Sequence, residues 1–228
     1  MRKYVRLPLD GTLNTRELGG YPTVNGGITN HNVFLRSDDL SRLTEKDRDF
    51  LYDYGIRTIL DLRGEEEIKN FGSHIMNDDR FDYKNVSLMD YFDKFDDLYI
   101  AIATTFSYKL KIAFDYIGER IQHGGILFHC MVGKDRTGVT AALLLSLAGV
   151  SEADIIANYM VSSVYLRPAF ERYLKINPDI PLNAMESAPA MIESFLKHIN
   201  NANDYLLSIG VSKTAIDTIL SNFVNENS

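Results

Sequence analysis

One cysteine, Cys130, is the chain's whole complement of thiols, tryptophan is absent, and prolines number six in 228 residues. A lone thiol cannot close an intramolecular disulfide or build a multi-thiolate zinc site. No stretch is rich enough in Pro, Gly or Ser to read as a linker, and no repeat of 20–50 residues stands out. Long apolar runs are missing too. The most apolar stretch, Val139 to Val150, is too short to span a bilayer. Met1 to Pro8 lacks the apolar segment of a secretory signal. Positive charge is in deficit, with 24 Lys and Arg against 31 Asp and Glu, a net charge of −7. Bulk attraction to nucleic acid or an anionic membrane is thereby excluded, leaving room only for a local basic pocket. A cytoplasmic location is expected; a secreted chain already relieved of its signal reads the same.

What remains is a chain 45% hydrophobic, which rules out disorder and is ample for a buried core. Residues 1–228 are read as a single domain. Short apolar runs at Val33-Phe34-Leu35, Thr58-Ile59-Leu60, Val86-Ser87-Leu88 and Ile126-Leu127-Phe128 predict buried strands. Between some of them the spacing is helical. Thr44 predicts a helix cap with Asp47 at N3, and Gly55 ends that helix after about Tyr54. Leu98 to Ile121 is expected to be helical, with Gly124-Gly125 turning into the next strand. This alternation predicts an α/β fold, with a mainly parallel twisted sheet of about four or five strands flanked by helices. Beyond Val150 the pattern is helical. Ser151 starts one segment that Pro168, Pro178 and Pro181 are expected to break. Pro189 opens a helix through His198, and Val211 to Val224, with Gly210 and Ser212 at its start, gives the last. Leu166 to Ala188 reads either as a cover over a site or as packing.

The stretch that carries chemistry is His129-Cys130-Met131-Val132-Gly133-Lys134-Asp135-Arg136-Thr137-Gly138. It follows a predicted strand and opens an apolar helix, so its loop lies where unpaired backbone N–H groups converge on an anion. The nucleotide-binding loop pattern fails, because Asp follows Lys134 and no glycine stands five positions before Gly133. Five residues between Cys130 and Arg136 can wrap one phosphate with Met131, Val132, Gly133, Lys134 and Asp135. Arg136 then grips two oxygens in a fork that lysine cannot form. The helix N-terminus and the guanidinium both favour Cys130 as thiolate, a nucleophile for in-line attack on phosphorus. Thr137 can donate its hydroxyl to the sulfur and help it leave.

These residues resemble the bacterial tyrosine-specific protein phosphatases, also described as tyrosine/serine or dual-specificity enzymes, within the cysteine-dependent phosphatases. Other blocks agree. Asn14-Thr15-Arg16-Glu17-Leu18-Gly19-Gly20 is similar to that family's Asn-x-Arg-Asp-Leu-Gly-Gly, with Glu for Asp. Phe34-Leu35-Arg36-Ser37 and Gly55 to Arg63 resemble its next two blocks, and the likeness thins between about Gly64 and Gly124. The resemblance implies a cysteine-phosphatase-like fold and hydrolysis of phosphate monoesters through a phosphocysteine. It implies no metal and no cofactor. The substrates it implies are phosphotyrosyl proteins or peptides, with phosphoserine, phosphothreonine and phosphoinositides as extensions. A bound phosphate or sulfate would fit the loop.

A leaving phenolate needs a proton. Many relatives supply it from a Trp-Pro-Asp loop, which a chain without tryptophan cannot have. Asp135, inside the loop, is the leading candidate, and the acidic run Asp90, Asp93, Asp96 and Asp97 is the runner-up. Asp61, at a strand end, is read as structural, pairing with a loop arginine, and His129 as bonding the loop backbone. Arg16 and Arg63 are read as braces, Tyr159 and Tyr165 as core packing, and Lys134 as either a solvated charge or a substrate contact. Three competitors remain: a phosphoinositide phosphatase, a rhodanese-like sulfurtransferase and a phosphoprotein-binding pseudophosphatase. Turnover of an aryl phosphate set against thiosulfate separates the enzyme classes.

Overall fold

A computed structural model describes residues 5–89, 97–179 and 188–225. Its centre is a five-stranded sheet of β1 (Arg16–Glu17), β3 (Phe34–Ser37), β4 (Ile56–Asp61), β5 (Asp82–Asn85) and β6 (Gly125–His129). The spatial order is β1-β3-β6-β4-β5, with all neighbours parallel except β1, which runs antiparallel on the β3 edge. Apart from the sheet, β2 (Ile28–Thr29) pairs with β7 (Val224–Asn225). The α/β architecture expected from the sequence, a mainly parallel sheet flanked by helices with a helical C-terminal part, is therefore present.

Alternation along the central strands divides the core. Phe34, Leu60, Ile126 and Phe128 face one apolar layer, while Leu35, Ile59 and Leu127 face the other. The second layer is closed by α1 (Glu45–Asp53), through Leu51. This helix begins as the sequence predicts: Thr44 caps it, Asp47 completes the capping box, and Gly55 follows in a left-handed conformation at φ +99°. The first layer lies under α5 (Asp135–Leu147), buried from Arg136 through Leu145, with α6 (Glu152–Ile176), α7 (Pro189–Ile199), α8 (Ala202–Ser208) and α9 (Lys213–Phe223) around it. Each fully buried leucine of α5 contributes roughly 1.5–3 kcal/mol of transfer free energy.

Three elements differ from expectation. Leu98 to Ile121 is not one helix but α3 (Leu98–Ala103) and α4 (Ser107–Arg120). Thr104 ends α3, its hydroxyl donating to Ile100 O, and the Ser107 hydroxyl donates to Thr104 O at the start of α4. The edge strand is Asp82–Asn85, not Val86 to Leu88. Val86 and Leu88 instead plug the core just past it. Pro168 does not break α6, which runs on to Ile176. The proline removes one bond to the carbonyl of Val164, a residue 68% exposed where water can replace it, and Leu166 and Phe170 keep the helix anchored. Pro181 lies outside the described residues. Among the described residues no helix is long and apolar enough to cross a membrane.

Candidate active site

The chain leaves β6 at His129 and enters α5 at Asp135, so Cys130 to Lys134 form a loop at the C-terminal end of the central strand. Each carbonyl in that loop is held from outside. Asp39 N–H donates to Met131 O at 3.0 Å. Asn14 Nδ2 donates to Val132 O at 3.0 Å and Gly133 O at 3.1 Å. Arg36 Nη2 donates to Gly133 O at 2.7 Å and reaches Lys134 O at 3.4 Å. Every peptide here is trans and planar, so an outward carbonyl turns the next residue's N–H inward. The N–H groups of Val132, Gly133, Lys134 and Asp135 therefore face the hollow of the loop, joined by the unpaired first turn of α5. Gly133 makes the bend. Its φ is +67°, and a Cβ there would stand 2.4 Å from Ser37 O at the end of β3. The Asn14 and Arg36 blocks of the sequence are thus the outer frame of the anion loop.

Arg136 is oriented by Glu67, a residue the sequence did not single out. Helix α2 (Glu65–Asn70) presents Glu67, whose Oε2 and Oε1 accept from Arg136 Nη1 at 2.5 Å and Nη2 at 2.7 Å. Of five guanidinium N–H donors this engages two, leaving three. Burial works against the charge of Arg136, but the Glu67 hydrogen bonds and then the charge of Cys130 outweigh it. The guanidinium is held above its ordinary value. Burial alone raises the Glu67 carboxyl, and Arg136 more than reverses this, keeping it below the usual range.

Asp61 pairs with Arg63, not with the loop arginine. Arg63 Nε and Nη2 donate to its carboxylate at 2.7–3.1 Å, and Tyr83 donates at 2.8 Å. His129 stands between Asp61 and the loop, with Nε2 3.5 Å from Asp61 Oδ2 and Nδ1 3.2 Å from Cys130 O. Burial raises the Asp61 carboxyl, yet its cationic neighbours, His129 when protonated and Arg63 throughout, bring it down to about 2. Burial also depresses the His129 imidazole, so near neutrality Arg63 supplies the charge. Arg63 and Arg16 are buried braces: Arg16 bonds Asn14, Asn158 O and Ser162, and its guanidinium lies over the Tyr165 ring.

Lys134 is buried at 6% exposure, its Nζ 3.6 Å from Asp135 Oδ1, so it is no solvated charge. Asp135 Oδ1 also accepts from the Tyr99 hydroxyl of α3. Thr137 Oγ1 is buried with no hydrogen-bond partner. Of the runner-up acids, Asp97 caps α3 by accepting from Tyr99 N and Ile100 N; Asp90, Asp93 and Asp96 lie outside the described residues. Among the described residues no cluster of His, Cys, Asp or Glu could hold a metal ion. Beside the loop is a cavity of about 330 Å³ lined by Met131, Val132, Leu13, Phe71, Leu166 and Phe170. A larger hollow of about 550 Å³, between Thr23, Gly149 and Leu220, contains none of these groups.

A strand, an inward-turned amide loop holding the only thiol, and a buried guanidinium six residues on form one site at the N-terminus of α5. The chain belongs to the tyrosine phosphatase family, whose model matches residues 7–225. A tyrosine-protein phosphatase of Nostoc commune is 39% identical over 146 residues, covering 59% of this chain and 49% of that one. A relative from Cupriavidus necator is 29% identical over 177 residues, covering 69% and 63%. The chain thus spans about half to two-thirds of the length of these curated relatives. Among solved structures it is similar to P. aeruginosa TpbA in complex with pTyr, at 14% identity over 73% of this chain and 91% of that one, TM-score 0.42. It is also similar to the core catalytic domain of the PP-IP phosphatase SIW14 from S. cerevisiae, at 20% identity over 71% and 98%, TM-score 0.40.

Proposed function

We propose that residues 1–228 act as one phosphatase domain that hydrolyses phosphate monoesters, with phosphotyrosine in proteins or peptides as the substrate. The observation that carries this reading is the loop with its carbonyls tied outward around Cys130, closed by Arg136. In the first step the Cys130 thiolate attacks phosphorus. The S–P bond forms as the P–O bond to the phenol breaks, and Asp135 gives its proton to the departing oxygen. The amides of Val132 through Asp135 and the Arg136 fork hold the three remaining oxygens. In the second step water attacks the phosphocysteine and Asp135 takes back a proton. The P–S bond breaks, Cys130 leaves as thiolate with Thr137 donating to it, and inorganic phosphate departs. His129, backed by Asp61, keeps the Cys130 carbonyl in place.

The cavity beside Met131 and Val132 has Phe71 and Phe170 in its wall, with Asp38, Asp39 and Arg42 also lining it, and its predominantly apolar lining supports an aryl ester. A second reading, phosphoinositide hydrolysis, is favoured by Lys134, a cation inside the loop. A reducing compartment such as the cytoplasm suits a lone thiol nucleophile. The deciding experiment uses Cys130→Ser. Turnover of a phosphotyrosyl peptide should vanish while peptide binding persists, because the amides survive and serine is a far poorer nucleophile. Retained turnover sinks the reading. A wild-type panel of phosphotyrosine, phosphoserine and soluble phosphoinositides then ranks the substrates.

A further inference from the structure

Asp135 does not stand alone in its loop. Tyr99 from α3 and Tyr159 from α6 are each 1% exposed, and their hydroxyl oxygens are 2.6 Å apart with the rings edge to face. Tyr99 donates onward to Asp135 Oδ1, and Tyr159 Oη lies 3.7 Å from Met191 Sδ of α7. A phenol has one hydrogen. With that of Tyr99 spent on Asp135, Tyr159 is the donor in the short contact between the tyrosines, and its one hydrogen goes there and not to Met191 Sδ, the longer and weaker acceptor. Two donors in series therefore end on one carboxylate oxygen. Lys134 Nζ approaches the same oxygen, at 3.6 Å. Burial and then the charge of Asp135 push the Tyr99 phenol far above its usual range, so it stays a donor throughout any assay.

We propose that Tyr99, backed by Tyr159, is the positioning residue of the acid: it occupies Asp135 Oδ1, puts the transferable proton on Oδ2, and stabilises the carboxylate left after the first step. This rests on the reading of Asp135 as the acid. Oδ1 is crowded by donors, so a proton on the carboxyl resides on the other oxygen. The groups that face Asp135 are Tyr99 from α3, Tyr159 from α6 through it, Lys134 in the loop, and the charges of Arg136 and Cys130. A hydrogen bond to the ionised form favours that form.

The test compares Tyr99→Phe, which keeps the ring, in the wild-type and Asp135→Asn backgrounds, over aryl phosphates of graded leaving-group pKa. Tyr99→Phe should lower kcat for phosphotyrosine about 10-fold with KM little changed, and lower it less for good leaving groups. In the Asp135→Asn background Tyr99→Phe should cost nothing further. Tyr159→Phe should act in the same direction and more weakly. An equal loss for every leaving group, a loss carried by KM and not kcat, or an undiminished loss in Asp135→Asn overturns the proposal. Failure of the underlying reading is seen separately: Asp135→Asn alone then leaves the leaving-group dependence untouched, and the role of Tyr99 falls with it. Where Asp135→Asn changes that dependence and Tyr99→Phe does not, only the role of Tyr99 falls.

Discussion

Replacing Glu67 with glutamine probes how Arg136 is held. Glu67 Oε2 accepts both Arg136 Nη1 at 2.5 Å and the Gly64 N–H at 2.9 Å, while Oε1 accepts only Nη2 at 2.7 Å. Glutamine can keep its carbonyl at the Oε2 position, preserving the helix cap and one arginine contact. Its amide then meets Nη2 donor to donor, and the second charge-assisted bond is lost. The two side chains are 10% and 8% exposed, so water replaces little of it. Breaking such a pair outright costs about 3–5 kcal/mol. Losing one of two bonds to a charged group costs about 2 kcal/mol. At about 2–4 °C per kcal/mol for a chain of this size, Tm should fall by about 4–8 °C.

Thermal unfolding with and without inorganic phosphate, alongside steady-state turnover of an aryl phosphate, measures both consequences. A bound dianion returns negative charge to Arg136, so phosphate should narrow the Tm gap between Glu67→Gln and wild type. Turnover should lose about 10-fold in kcat/KM, because the fork is no longer aimed. A Tm change under about 1 °C with unchanged kinetics refutes the reasoning. So does a lowered KM, which would mean that Glu67 competes with the substrate for Arg136.

Gly133→Ala should abolish phosphate binding in calorimetry and lower Tm, since its Cβ meets Ser37 backbone at 2.4 Å with φ at +67°; binding near that of wild type contradicts this. Arg136→Lys should remove nearly all turnover while keeping a positive charge, because a point charge cannot form the fork; near-normal rates refute the role. Asp61, held at about 2, contributes stability that is complete above its unfolded value near 4 and is lost as pH falls toward 2, about 2 kcal/mol in all. Urea unfolding of wild type and Asp61→Asn should therefore converge on acidification, despite the opposite drift of Asp38 and Glu17, which burial raises; a constant difference argues against it.

Local sequence carries what is decided locally. The Cys130 to Arg136 spacing, the Thr44–Asp47 capping box and the short apolar runs of β3, β4 and β6 were all legible because each is written in adjacent residues. Strand β5 was not, since Asp82, Lys84 and Asn85 give an edge strand no apolar alternation, whereas Val86 and Leu88 mimic one. The α3–α4 break was hidden because the helical period runs on across Thr104 and Ser107, whose hydroxyls bond nearby carbonyls instead. Glu67 and Tyr99 lie 69 and 36 residues from their partners in the loop. Nothing in the sequence near either one announces that distance being closed.

A chain of net charge −7 nonetheless builds a cationic floor under its anion loop. Arg16 and Arg36 are both buried, and neither hydrogen-bonds a carboxylate. Arg36 bonds Asn158 Oδ1, Ser162 and loop carbonyls, while Arg16 bonds Asn14, Asn158 O and Ser162. The Nε atoms of both are buried without a partner. Burial pulls Arg36 down to about 10 and Arg16 well below its ordinary value, Arg36 adding to the second effect. The charge of Cys130 is what most offsets the burial of Arg36. Two desolvated guanidiniums held by neutral acceptors leave positive potential, and Arg36 delivers its share directly behind the loop, on the carbonyls of Gly133 and Lys134. On the proposed function, anion capture there is a property of the frame, set by Asn14, Arg16, Arg36, Asn158 and Ser162, before Arg136 closes on the substrate.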